Sequence, residues 1–407
     1  MHHRIRGARC RHIEAVHIAL GQIGERTDSE PVPNGEVFEN YTSMDIDRLR
    51  SDLQEEENRR DLVEILEDDE YFYTENDAEF RSLLGRAAQI QPEYEYENVL
   101  NGSKNTFGIE LEFVGGDSNA IARELYQLGI CAYDHRVGYH DTSSPSVPGK
   151  WKMEFDCSVA DRYSSAGGEL VSPVLEDTPE TWKTIEKICE VAKRHGARID
   201  ERCGSHVHVG MDPLDTARQR WKRFFKTIAG FEDVIYRVAG GTLGQIRNQY
   251  TRYASPFAER SAQGARTRIQ INDISDVHNL ARQVSRVYPG RDRHSDRYHG
   301  VNLTNIYDSQ RPNTIEFRYF NGSLDACQIQ SNVKLANGVL VAATKARTKE
   351  NSTTSSMQKR GNILKAHSLE GNNRTDSALK KFVDIIFTRK KDKDRIIGVY
   401  AKNTWAN

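Results

Sequence analysis

The chain has 407 residues, 37% hydrophobic and 29% charged, with a formal net charge of −2 at pH 7. That length and apolar content suffice for a sizeable core and allow two or three domains. The near-neutral balance excludes a global field that would recruit nucleic acid or an anionic membrane, and no run approaches the roughly 18 consecutive apolar residues of a membrane span.

Taken in chain order, residues 1–100 are polar. Within them "LQEEENRRDLVEILEDDEYFYTENDAEF" (Leu53 to Phe80) is strongly acidic and helical in its first half. It reads as a solvated helical extension or an arm that docks a partner or a second subunit. The opening "MHHRIRGARCRHIEAVHIAL" has only a short, interrupted apolar run, so no secretory signal is expected. Six cysteines (Cys10, Cys131, Cys157, Cys189, Cys203, Cys327) form no CxxC. This suits a reducing cytoplasm and speaks against a disulfide framework or a cysteine zinc site.

From Asn105 short strand-like runs alternate with amphipathic helices. "FGIELEF" alternates Glu110 and Glu112 with Ile109, Leu111 and Phe113. As a strand, one face is apolar and the other carries two carboxylates about 6.6 Å apart; as a helix, the pair would point in opposite directions. "GGELVSP" sets Glu169 among apolar neighbours, and Pro173 ends the run. "TPETWKTIEKICEVAKRHG" predicts a helix with Thr178 as N-cap, Pro179 in the first turn, and Gly196 at its end. "GSHVHVG" places His206 and His208 on one strand face between valines. "DTARQRWKRFFKTIAGFEDVIYRVAG" predicts a second long helix with a break at Gly230. The basic, aromatic "QIRNQYTRYASPFAERSAQGARTRIQ" offers Arg247, Arg252, Arg266 and Arg268 to phosphates or to an acidic substrate, and "NTIEFRYF" puts Glu316 and Arg318 on one face. After Ala346 a Ser/Thr-rich loop precedes one more helix and a short closing segment.

Four separate strands thus carry ionisable residues in an apolar pattern. A wetted face of an antiparallel sheet would also alternate, but here the polar positions concentrate in Glu and His with one Arg. Three or more carboxylates on one face raise each other's pKa unless cations neutralise them. Oxygen-rich sites with a minority of histidine suit Mg²⁺ or Mn²⁺ better than zinc, and a lone arginine suits a phosphate or carboxylate. The pattern reads as metal plus phosphate. Two other readings stay open: a His/Glu metallohydrolase or oxygenase, and a scaffold without catalysis.

The series "GIELEF", "DCSVADRYSSAGGELVSP", "GSHVHVG" and "NTIEFRYFNGSLD" resembles, in order and spacing, the amidoligase family of carboxylate–amine ligases, relatives of glutamine synthetase and glutamate–cysteine ligase. The resemblance covers roughly residues 107–346. It implies an α+β fold: a curved antiparallel half-barrel with helices on its outer face, and divalent cations, ATP and the reacting carboxylate inside. By position it makes Glu110, Glu112, Glu169, His206 and Glu316 metal ligands. It gives His208 and Arg318 contacts to phosphate. Asp156 and Ser158 fall in the family's Asp-x-Ser region, and Asp156 joins His208 and Arg318 as a catalytic candidate. Arg247, Arg252 and Asn302 join the nucleotide-binding candidates, and Asn305 is a candidate substrate contact. The domains expected are an extension over 1–100, a catalytic domain over 101–346, and a tail over 347–407. The resemblance implies ATP with Mg²⁺ or Mn²⁺ as cofactors and a carboxylate and an amine as substrates, peptide or protein included; neither membrane nor nucleic acid is an expected partner. A metal-dependent phosphotransferase acting on a nitrogen acceptor is the near alternative on the same fold.

Overall fold

The structure is a computed structural model that describes residues 92–139, 141–161, 163–214, 217–240, 253–254, 298–306, 313–345, 379 and 382–405. The acidic extension, the Ser/Thr-rich loop, and Arg247, Arg252, Arg266 and Arg268 lie outside the described residues.

The strands are β1 (Phe107–Asp117), β2 (Lys152–Glu154), β3 (Ala166–Val171), β4 (Ala197–Arg198), β5 (Gly204–Gly210), β6 (Val301–Asn302) and β7 (Thr314–Asn321). They form one sheet in the order β2-β3-β1-β5-β7-β6, with β4 pairing the end of β1. Every ladder is antiparallel. With the helices this makes an α+β fold.

Strict alternation in β1, β5 and β7 gives the sheet one apolar face. Ile109, Leu111, Phe113, Val207, Val209, Ile315, Phe317 and Tyr319 are all buried. Helices α1 (Ser118–Gln127), α2 (Pro179–Arg194), α3 (Arg218–Val238), α4 (Ala326–Lys345) and α5 (Lys390–Trp405) supply the other side of the core. Rings join the two layers: Phe107 stacks on Trp182 at 5.4 Å, Phe224 meets Phe317 edge-on at 6.3 Å, and Tyr236 meets Tyr319 at 4.9 Å. With one face so covered, the Glu/His face opens on the opposite side.

Local signals place the helix ends. Thr178 accepts from the Thr181 amide at 3.3 Å to cap α2, and Pro179 takes the first turn, where its missing N–H costs nothing. The expected break in α3 falls at Phe231, whose backbone leaves helical geometry (φ −130°, ψ 18°), directly after Gly230. "IIGVYAKN" continues α5 as helix, because Ile396, Val399 and Tyr400, at helical spacing, are buried. Packing overrides the weak helix preference of its β-branched residues and glycine.

Outside the sheet the helical layer is tied by a buried charge network. Lys334 on α4 reaches Asp392 on α5 at 2.5 Å and Glu95 at 2.8 Å, with Lys334 and Asp392 side chains 1% and 3% exposed. Arg389 adds a 2.6 Å bond to Asp392 and donates to the Asn98 carbonyl at 2.8 Å. The segment entering β1 and the last helix are therefore both fastened to α4.

Candidate active site

Strand register assembles the site. Glu110 lies opposite His206 across β1 and β5, and His208 lies opposite Glu316, which faces Asn302 on β6. On the other flank Glu112 faces Glu169, which faces Glu154 on β2. Because residues two apart share a strand face, these two rows stand side by side on the polar face. The β5–β7 ladder slips by one residue between Ser205 and Val207. Bulges of this kind re-aim side chains, and here Arg318 comes within 3.4 Å of His206.

At the β5–β7 end the charges are interlocked. Glu110 binds both imidazoles, His206 Nδ1 at 2.7 Å and His208 Nε2 at 2.9 Å. His206 also lies 3.8 Å from Glu112 and 3.5 Å from Glu316. Arg318 pairs with Glu316 and donates to the Tyr253 carbonyl at 3.1 Å. Asn302 donates to Glu316 at 2.5 Å, and its own carbonyl oxygen accepts from the Thr304 amide at 2.9 Å. Asn302 therefore both turns the chain after β6 and orients a site carboxylate.

These contacts set the protonation states. Burial by itself would push the Glu110 carboxyl up, but the charge of His208 and hydrogen bonds from both imidazoles hold it well below the usual range. Burial lowers His208, and Glu110 more than offsets this, so the imidazole is raised. Glu316 is lowered despite burial, through Arg318 and then His208. Glu169 goes the other way: burial, then the charges of Glu110, Glu112, Asp156 and Glu154, raise it well above the carboxylate range.

Three sets of side chains bring ligand atoms within 4.8 Å of one another: Glu110, Glu169 and His206; Glu110, His208 and Glu316; and Glu112, Asp156 and Glu169. The donors are carboxylate-rich with imidazole in the minority, and Glu169 is crowded by like charges that a cation would relieve. That chemistry fits a hard divalent cation. Asp156 is held by the Ser158 amide at 2.6 Å, and Glu112 by the Gly204 amide at 2.5 Å. The whole face lines a cavity of about 1220 Å³, larger than the roughly 300–1,000 Å³ typical of a single small ligand.

The structure thus gathers Glu110, Glu112, Asp156, Glu169, His206, His208, Asn302, Glu316 and Arg318 around one cavity, which Ser158 and Asn305 also line. Sequence reading passed over Lys152 and Glu154, which line it too and pair at 2.7 Å. The signal was present: in "WKMEF" they alternate with Met153 and Phe155, as the two glutamates of β1 alternate with their apolar neighbours. Tyr253 and Tyr298, also in the wall, carried no such pattern.

The pKa directions fix a pH response. Folded Glu169 keeps its proton well above 4.5, where the unfolded chain releases it. Folding is therefore weakened as pH rises from about 4.5 through the folded value. The stability from raised His208 is complete below about 6.5 and is lost as pH climbs through its folded value. Glu110, lowered, contributes stability that is complete above about 4.5, so it is flat in this window. With chelator present, the melting temperature should fall between about pH 5 and 8. Glu169→Gln should flatten the fall, and so should added Mg²⁺. An unchanged slope in the variant would show that Glu169 is not the crowded group.

A family model described as "Putative amidoligase enzyme" matches residues 103–340, more than half of the chain. No curated protein matches it.

Proposed function

The chain belongs to the amidoligase family, and on that premise we propose that it is an ATP-dependent carbon–nitrogen ligase working through an acyl phosphate. The observation that carries the reading is the convergence, on one sheet face, of carboxylate-rich ligand sets with Arg318 and His208 beside them. The glutamine-synthetase-like half-barrel is part of the same proposal.

A carboxylate and an amine do not condense spontaneously in water. A substrate carboxylate oxygen attacks the γ-phosphorus of ATP, an O–P bond forms, and the bond to the bridging oxygen breaks to release ADP. The amine nitrogen then attacks the acyl carbon and sheds a proton, the C–O bond breaks, and phosphate leaves. Glu110, Glu112, Glu169, His206 and Glu316 would hold Mg²⁺ or Mn²⁺, which when bound would neutralise charge on the phosphates. Arg318, oriented by Glu316 and the Tyr253 carbonyl, directs a fixed guanidinium at the transferring group. His208, its imidazole raised by Glu110, adds a second donor there. Asp156, close to Glu112 and Glu169, completes the acidic flank.

This reading is tested by incubating the protein with Mg²⁺, ATP and a pool of acids and amines, including peptides. Mass spectrometry should find ADP, free phosphate, and a product lighter by one water than its two parents. ADP with a phosphorylated nitrogen acceptor would favour the phosphotransferase instead, and turnover without ATP would favour a hydrolase.

A further inference from the structure

Lys152 has no part in the ligand sets, yet it is a buried cation in the cavity wall. It stands on β2 with 7% exposure, and its ammonium pairs with Glu154 at 2.7 Å. An ammonium has three donors, and Glu154 is the one ion-pair partner found for it among the described residues. Taking a lysine out of water is costly even when paired, and this one is held against the wall of a cavity. Among the described residues, the other lysine or arginine side chains of the wall, Arg202 and Arg318, are differently engaged: Arg202 is largely exposed and bound to Asp200, and Arg318 to Glu316.

Position decides what Lys152 serves. Lys152 faces Val171, which faces Glu110, which faces His206, so one row crosses from β2 to β5, and Arg318 lies beyond on β7. Four strand spacings of about 4.8 Å separate β2 from β7, roughly 19 Å along the sheet. The metal-ligand candidates stand between the two cations. In phosphoryl transfer the attacking and leaving oxygens lie roughly in line on opposite sides of the phosphorus. If Arg318 and His208 hold the nucleotide side, the acceptor must enter from the β2 side. Thr142 lines the same cavity and offers a hydroxyl donor for a carboxylate's remaining lone pairs, while the Ser144 hydroxyl donates to Asp141 at 3.2 Å.

We propose that Lys152 anchors the acceptor substrate through a carboxylate, with the nucleotide confined to the β5–β7 end. The assignment rests on the ligase reading and adds the location of the substrate. Glu154 holds the ammonium in place by taking one donor and leaves the others directed at the ligand.

The test uses the full chain with Mg²⁺, ATP and hydroxylamine as the amine. The acids are the twenty standard amino acids together with a set of their dipeptides, and the readout is the acyl hydroxamate. Binding of a non-hydrolysable ATP analogue with Mg²⁺ is measured in parallel by calorimetry. Lys152→Met should bind the analogue within about threefold of wild type yet need at least about tenfold more acid, a tenfold change being about 1.4 kcal/mol. Lys152→Arg, which keeps the charge, should recover part of that loss. The double variant Lys152→Met/Glu154→Gln, which leaves no orphaned carboxylate to unfold the site, should behave like Lys152→Met. Arg318→Met should lose the analogue. Loss of the analogue in Lys152→Met, with Lys152→Arg restoring it, would place Lys152 on the nucleotide and overturn the proposal. Hydroxamate formation by Lys152→Met at wild-type acid concentrations would also overturn it. Failure of the ligase reading itself looks different: wild type would then either not bind the analogue with Mg²⁺ at all, or bind it and convert none of the acids.

Discussion

Glu110→Ala should cost at least about 10²-fold in turnover, comparable to deleting other fixed electrostatic groups of an active site. Glu110 belongs to two of the three ligand sets and bonds both imidazoles at 2.7 and 2.9 Å. Its removal takes away a ligand and frees His206 and His208 together. It also removes the anion that raises His208, so the imidazole should titrate at lower pH in the variant, a shift that proton NMR reads directly. Glu110→Gln keeps the shape and one acceptor but not the charge, and should lose nearly as much activity. Wild-type turnover in either variant would remove Glu110 from the machinery.

Lys334→Met should cost about 3 kcal/mol of stability, the low end of the 3–5 kcal/mol typical when one partner of a buried ion pair is removed. The low end applies because Arg389 still reaches Asp392, and Lys391 and Arg395 still reach Glu95. At roughly 2–4 °C per kcal/mol for a domain of this size, melting should drop by about 6–12 °C. Urea titration would measure it. A loss below about 1 kcal/mol would mean the pair behaves as a surface contact. Glu95 and Asp392 lie outside the matched span of 103–340, so the prediction also probes how far the catalytic unit extends beyond it.

The sequence carried the site more fully than the fold. Alternation in "GIELEF", "GSHVHVG" and "NTIEFRYF" is a local property, so the face of Glu110, Glu112, His206, His208, Glu316 and Arg318 could be read without knowing which strand pairs with which. The pairing itself is non-local. That β1 lies between β3 and β5, or that β7 slips a residue opposite His206, depends on segments far apart in the chain, His206 and Arg318 by 112 residues. Lys152 and Glu154 were missed because β2 is three residues long, too short for a period to stand out. The last helix runs through "IIGVYAKN" although its β-branched composition favours strand, and the packing of Ile396, Val399 and Tyr400 makes it helical.

The most direct test of the ligase mechanism follows oxygen. The acid found by product analysis would be prepared with ¹⁸O in its carboxylate and turned over with ATP, Mg²⁺ and the amine. An acyl phosphate passes one carboxylate oxygen to phosphorus, so each turnover should deliver one ¹⁸O to the released phosphate and leave the other in the amide. Unlabelled phosphate, with both labels retained in the acid or lost to water, would contradict the mechanism.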